Sequence, residues 1–248
     1  EPTAESIMAG EPLDIREPPR LLLPVAVLEG ESISTSLVEF LAPAEIVLLG
    51  YHVLPEQTPT EQAGMQFEDK AREAIDDIAV AFREAGREVE TRVAFTHDRE
   101  QTVDRVAAEE DVTGVLLPNP VGRIEDVVVP VRGAIDVDRL ADLVATLLAG
   151  HDGTVTLWGL GGAAEFDAEA AVDYARETLV DRGLPAAKIR TELTDSSAPI
   201  REIVGRSAEF DVIVMGEGGP SLLRSLFGDD AERIAEGAVA PVLVVRDR

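Results

Sequence analysis

Three glycines near the C-terminus have the spacing that most clearly suggests chemistry. Gly216 ends an apolar run, Gly219 follows it, and eight residues separate Gly219 from Gly228. Glycines let a backbone approach phosphate oxygens closely, and the N-terminus of a following helix favours negative charge. Asp229 comes next, however, and a carboxylate at a helix N-cap binds the same N–H groups that a phosphate would use. The loop is therefore a candidate phosphate site that contains a competing carboxylate.

Other kinds of active site find little support in the residue types. The chain has no cysteine, which removes thiol catalysis, thiolate metal sites and disulfides together. Its three histidines, His52, His97 and His151, lie in separate segments without the spacing of metal ligands. We therefore predict no catalytic residue and no metal site.

The chain carries two similar series of strands and helices. The apolar run Leu21–Val27 resembles Val127–Val131, and each run precedes a helical pattern. In each half a further strand and a helix with an apolar face follow, and Gly86 and Gly183 are placed to end these helices in the left-handed conformation. Strands that alternate with helices predict a parallel sheet covered on both faces. We therefore predict an α/β protein of two flavodoxin/HUP-like, doubly wound parallel-sheet repeats, the first of them truncated.

The two repeats are unequal in length. After Met215 the second repeat continues through the glycine loop, a helix (Asp229–Ala238) and a last strand (Pro241–Val245), and the first repeat has neither element. The missing strand leaves an open sheet edge in the first repeat, and the second repeat is the nearest candidate to cover it. The predicted organisation is a flexible, proline-rich tail or linker over 1–19, repeat 1 over 20–124, and repeat 2 over 125–248.

Acidic residues dominate the charge of the whole chain. Forty-eight Asp and Glu residues oppose 22 Lys and Arg residues, which gives a formal net charge of −26. Such a surface repels itself in dilute buffer, but in molar salt the Debye length falls to about 3 Å. We predict a halophilic protein, with an acidic surface made for a basic partner as the alternative. The charge excludes nucleic-acid binding, and no apolar run is long enough to predict membrane insertion.

The C-terminal region resembles the signature of universal stress proteins, of the tandem-domain, haloarchaeal type. The resemblance lies in Asp211–Arg233 followed by Ala240–Val245. The family pattern is an apolar strand ending in Gly, two residues, Gly, nine residues, and Gly followed by Ser or Thr. In relatives that bind ATP, this loop holds the phosphates, and an Asp after the first strand helps to hold the adenosine end.

This sequence departs from that pattern in both repeats. The loop is one residue short, Asp229 takes the place of the hydroxyl, and Arg132 in repeat 2 and Ala26 in repeat 1 stand where the Asp would be. The resemblance implies a candidate nucleotide site in repeat 2, with Arg224 as a source of positive charge. Its members are Arg132, Gly216, Gly219, Arg224, Gly228 and Asp229.

The resemblance implies a non-catalytic regulatory or stress-response module with a degraded ATP site and no cofactor, located in the cytoplasm. Tandem domains of this kind are often fused behind amino-acid or cation transporters in salt-loving archaea. A transporter's cytosolic C-terminal domain, at the inner face of the plasma membrane, is thus one form of this hypothesis. The alternatives are a universal stress protein that binds ATP through the Gly216–Gly228 loop, with or without slow hydrolysis, and an unrelated α/β enzyme. The predicted assembly is a pseudo-dimer of repeats or a homodimer paired through Pro241–Val245.

Overall fold

The computed structural model describes residues 12–133, 135–162, 166–216 and 240–246. Within these ranges the chain forms one nine-stranded sheet flanked by helices. The strands are β1 (Arg20–Ala26), β2 (Glu45–Val53), β3 (Val89–Thr96), β4 (Gly114–Leu117), β5 (Asp126–Val131), β6 (Thr154–Gly161), β7 (Ile189–Asp195), β8 (Val212–Gly216) and β9 (Val242–Val245). The helices are α1 (Thr35–Leu41), α2 (Thr60–Glu84), α3 (Arg99–Glu109), α4 (Val137–Leu148), α5 (Ala168–Asp181) and α6 (Pro199–Arg206).

The strand order confirms the predicted α/β class and the two repeats. The order is β3-β2-β1-β4-β9-β8-β5-β6-β7, and every neighbouring pair is parallel except β4 and β9. Counted within the second repeat, the strands run 3-2-1-4-5, as expected for a doubly wound sheet. The first repeat has the same order but lacks the fifth strand.

The helices form two layers, one on each face of the sheet. The largest apolar cluster joins α1, α2, α4 and α5 to one face, while α3 and α6 contribute to separate clusters. Helix α2 begins at Thr60, and its first residues, 60–66, are mostly exposed and show no apolar face. Gly86 and Gly183 follow α2 and α5 with φ of 84° and 96°, which confirms their predicted left-handed conformation.

The two repeats are joined by the antiparallel pairing of β4 with β9. Gly114 pairs with Val245, and a Cβ on Gly114 would lie 2.9 Å from the carbonyl oxygen of Val244. Arg139 of α4 strengthens this joint by donating from Nη1 to the carbonyl oxygen of Arg246, at 3.0 Å. The open edge predicted for the first repeat is therefore covered by the last strand of the second.

This pairing corrects the predicted route to a homodimer. Strand β9 pairs with β4 on one side and with β8 on the other. Both of its edges are used within one chain, so Pro241–Val245 cannot also pair with a second chain. That route was wrong because the shortened first repeat takes the strand edge that a partner would need.

A buried ion pair fixes residues 14–17, which the sequence assigns to a flexible tail. Asp142 of α4 is 3% exposed and accepts a 2.6 Å hydrogen bond from Nε of Arg182, which follows α5. The same carboxylate accepts from the backbone N–H groups of Arg16 and Glu17, both at 3.2 Å. This part of the tail prediction is corrected, because the segment supplies hydrogen bonds that a buried carboxylate requires.

We expect Asp142→Ala to destabilise the fold by about 3–5 kcal/mol, because it leaves the Arg182 guanidinium buried without this partner. The free energy of unfolding in molar KCl, from denaturant titration, measures the effect. Asp173→Ala, at an exposed position of α5, is the matched control and should change stability by less than about 0.5 kcal/mol. Equal effects of the two substitutions would contradict the prediction.

We also expect deletion of residues 240–248 to destabilise both repeats, because β9 completes the hydrogen bonding of β4 and of β8. Amide hydrogen exchange, read by mass spectrometry, should rise in β1 and β4 as well as in β5 and β8. Protection of β1 equal to that in the intact chain would show that the first repeat is independent of β9.

Candidate functional site

Ligands of doubly wound sheets bind at the carboxyl ends of the strands, where the strand order reverses. This chain has two such positions, one between β1 and β4 and one between β5 and β8. We name them the first-repeat crevice and the second-repeat crevice. In the second, Arg132 follows β5 and Gly216 ends β8, so the structure brings these two predicted site residues to one edge of the sheet.

Gly216 has a packing reason to be glycine. A Cβ at this position would lie 2.7 Å from Cγ2 of Ile135, which precedes α4. That distance is too short for two carbon atoms, so any larger residue would displace Ile135. The first glycine of the loop is thus explained by an apolar contact, without a ligand.

Arg132 carries an unusual charge for this crevice. Its side chain is half-buried, and burial lowers the pKa of the guanidinium from its ordinary value. Among the described residues, none forms a hydrogen bond or ion pair with it. A half-buried cation of this kind attracts anions. Gly219, Arg224, Gly228 and Asp229, the other predicted site residues, lie outside the described residues.

In the first-repeat crevice a carboxylate of the chain itself binds the end of β1. Oε2 of Glu31 accepts a 2.6 Å hydrogen bond from the backbone N–H of Ala26, the last residue of β1. Burial raises the pKa of the Glu31 carboxyl above its ordinary value of 4.5, although this hydrogen bond and the charge of Arg99 act in the opposite direction. The N–H at the strand end is therefore already satisfied.

Two further side chains complete this cluster, which we name the Glu31 cluster: Glu31, Tyr51 and Arg99. Tyr51 lies in β2 and is 5% exposed, and burial raises the pKa of its phenol to about 12. The guanidinium of Arg99, at the start of α3, lies 5.0 Å from the centre of the Tyr51 ring. The neutral phenol, the carboxylate and the guanidinium together fill this end of the crevice with polar groups. None of the three is activated as a nucleophile.

Sequence reasoning missed the Glu31 cluster. Its members are 20 or more positions apart, and only the parallel order of β1, β2 and β3 brings them together. One signal was present, since Gly30 ends the short turn over Val27–Glu29 that follows β1, and it adopts φ of 77°. This left-handed residue reverses the chain and returns Glu31 to the strand end.

Gly159 and Gly161, at the end of β6, match part of a dinucleotide-binding fingerprint. A Cβ on Gly159 would lie 2.6 Å from Cδ2 of Leu193, and one on Gly161 would lie 2.7 Å from Oδ1 of Asp195. Side chains of β7 therefore occupy the space above the glycines, where a dinucleotide would have to approach.

A polar cavity of about 450 Å³ lies at the opposite, amino-terminal end of β5 and β6. Two arginines in its lining are paired with neighbouring acids, Arg123 with Glu125 at 3.0 Å and Arg190 with Asp126 at 3.3 Å. His151 also lines it, and burial together with the charge of Lys188 lowers the pKa of this imidazole. The positive charges of Arg123 and Arg190 are thus offset by neighbouring carboxylates, whereas Arg132 has no such partner among the described residues.

Metal and membrane sites find no support in the described ranges. They contain no group of three or more His, Asp and Glu residues arranged to hold a metal ion. They also contain no helix that is both long and apolar enough to cross a bilayer.

Comparison with known proteins agrees with this fold. A model of the universal stress protein family matches residues 143–246. A universal stress protein from Archaeoglobus fulgidus has a similar structure, with 15% identity, a TM-score of 0.62, and coverage of 94% of this chain and 97% of that one. A functionally unknown Pseudomonas aeruginosa protein aligns with 15% identity, a TM-score of 0.47, and coverage of 94% and 93%. The cytoplasmic domain of a prokaryotic cation chloride cotransporter aligns with 13% identity, a TM-score of 0.47, and coverage of 93% and 96%. No curated protein sequence matches the chain.

The family match lies in the second repeat, where the sequence resemblance was strongest, and the A. fulgidus structure shows that the shared fold extends over nearly the whole chain. Residues 143–246 of this chain are thus similar to the universal stress protein family.

Proposed function

We propose that this chain is a non-catalytic regulatory module whose ATP site is degraded, and that it acts in the cytoplasm. The observation that carries the proposal is the hydrogen bond from Ala26 N–H to Glu31 in the first-repeat crevice. An anionic ligand would have to displace a carboxylate that is already bound and partly buried. It would also meet the negative charge of that carboxylate.

The second-repeat crevice supports the proposal by a different route. Ile135 explains Gly216 by packing, and Arg132 replaces the Asp that holds the adenosine end in ATP-binding relatives. The sequence places Asp229 where those relatives have a hydroxyl. A like charge about 4 Å from a phosphate costs about 1–4 kcal/mol at effective dielectrics between water and a protein surface.

A nucleotide-binding universal stress protein is the second candidate, and one observation favours it. Arg132 is a half-buried cation with no polar partner among the described residues, so an anion at the carboxyl end of β5 would find a counter-charge there. In this candidate the Gly216–Gly228 loop would hold the phosphates and Arg132 would compensate part of their charge.

The regulatory module takes one of two forms, a separate stress protein or the cytosolic C-terminal domain of an amino-acid or cation transporter. The two forms differ in what precedes the chain in the natural polypeptide. Fractionation of native cells with an antibody against this chain separates them: a transporter domain sediments with the membrane and stays there after a high-salt wash, whereas a separate protein remains in the supernatant.

We expect no saturable ATP binding at low micromolar concentration in molar KCl, measured by isothermal titration calorimetry. The variant Asp229→Ser restores the hydroxyl of ATP-binding relatives and removes a like charge from the loop. It should bind ATP about tenfold more tightly or better than the natural chain. Saturation of the natural chain at low micromolar ATP, lost in Arg132→Ala, would overturn the regulatory proposal in favour of nucleotide binding.

We expect Glu31→Gln to become progressively more stable than the natural chain as the pH rises. The folded-state pKa of Glu31 is raised above 4.5, so its contribution to stability is fully present below pH 4.5 and is lost as the pH rises through the folded pKa. Glutamine keeps the acceptor for Ala26 N–H and has no charge to bury. Denaturant unfolding of both proteins between pH 4 and 7 tests this, and a constant difference would show that the carboxylate is not buried.

A further inference from the structure

The nine-stranded sheet has two open edges within the described ranges, because β3 and β7 each have a strand neighbour on one side only. Strand β7 is seven residues long and contains no proline. Open edges present unpaired N–H and C=O groups that can pair with another chain. Leu193 of β7 is 52% exposed, so this edge combines unpaired backbone with exposed apolar surface.

The backbone groups of β7 alternate between β6 and the open edge. Ser196, directly after β7, donates its N–H to the carbonyl oxygen of Gly161 in β6 at 2.9 Å. Successive residues of a strand direct their N–H and C=O groups to opposite sides. The even-numbered residues therefore bond to β6, whereas Ile189, Thr191 and Leu193 direct their backbone groups to the open edge.

The side chains of β7 form a self-complementary series. From 189 to 193 they are Ile, Arg, Thr, Glu and Leu. Antiparallel pairing of two copies about Thr191 sets Arg190 of each copy opposite Glu192 of the other. Thr191 then faces its own counterpart in a hydrogen-bonded pair, and the charged residues take the non-hydrogen-bonded positions, where side chains are closest. The direction of the backbone groups and the order of the charged side chains thus favour the same register, in which the two copies pair about Thr191.

Arg190 and Glu192 are also placed so that they can form these intermolecular ion pairs. Glu192 is held by Arg206 of α6, with Nη1 to Oε1 at 2.5 Å, and Arg206 lies 4.5 Å from the centre of the Trp158 ring. The Arg190 side chain is 64% exposed, and its pair with Asp126 at 3.3 Å is open to solvent. One partner of each new ion pair is ordered in advance, and the other is accessible.

We propose that β7 is the surface through which this chain forms a homodimer, in an antiparallel register centred on Thr191. The contact has closed two-fold symmetry, which is the commonest form of homo-oligomer. Strand β3 has a similar series from 89 to 93, but there Arg92 is bound to Glu110, and Val93 is half-buried where β7 exposes Leu193. The exposed leucine therefore favours β7.

The first test is Thr191→Pro in the full chain. Proline removes an N–H that faces the open edge and is not used by β6, so the fold should be kept while the central pair of intermolecular hydrogen bonds is lost. Analytical ultracentrifugation in molar KCl, where repulsion between acidic chains is screened, should show a dimer for the natural chain. The dissociation constant of the variant should rise about tenfold or more.

Thr91→Pro is the matched control, because Thr91 holds the equivalent position on the β3 edge. It should leave the dimer unchanged, and thermal unfolding of both variants verifies that they fold. A natural chain that is monomeric at every concentration, a folded Thr191→Pro variant that dimerises as strongly as the natural chain, or loss of the dimer in Thr91→Pro would overturn the proposal.

The second test does not depend on proline. Arg190→Glu and Glu192→Arg each place like charges opposite one another twice per dimer, so each variant alone should be monomeric or more weakly dimeric. An equimolar mixture restores both pairs of opposite charge and should form a heterodimer. A mixture that associates no better than the separate, folded variants would contradict the register even if a dimer exists.

Discussion

Strand β9 satisfies the edges of two half-sheets at once, because the first repeat has no fifth strand of its own. Four residue pairs join it to β4, and four join it to β8 on the other side. The close approach at Gly114 and the hydrogen bond from Arg139 to the carbonyl of Arg246 belong to the same joint. The repeats therefore share one sheet, and the largest apolar cluster contains residues from both of them.

This joint has consequences for the two crevices. Without a fifth strand or its preceding loop, the first repeat has no glycine loop to hold a ligand at β1. Glu31 instead turns back onto Ala26 and occupies the strand end with a carboxylate. The second repeat keeps its fifth strand, and there an apolar contact between Ile135 and Gly216 accounts for the glycine. The two crevices thus differ, because a carboxylate binds the strand end in the first and an apolar contact accounts for the glycine in the second.

Local signals in the sequence were enough to predict the elements. Gly86 and Gly183 follow α2 and α5 in the left-handed conformation as expected, because apolar period and left-handed caps are properties of neighbouring residues. Contacts between distant residues were beyond such reasoning. Asp142 is four residues from Asp138 on a helix, but nothing local indicates that it binds Arg182 and the backbone at Arg16. The Glu31 cluster was missed for the same reason, since it exists only when three strands lie in parallel.

Several cations of this acidic chain bind other groups of the protein, and Arg132 differs from them. Arg139 and Lys188 bind backbone carbonyls, Arg182 binds Asp142, and Arg206 binds Glu192. Each of these side chains contributes to structure, whereas Arg132 has no such contact among the described residues. The second-repeat crevice thus contains a cation that attracts anions. Asp229, which lies outside the described residues, is expected from the sequence to repel them. In the proposed site the balance between a partly desolvated guanidinium and one carboxylate would decide whether a nucleotide binds.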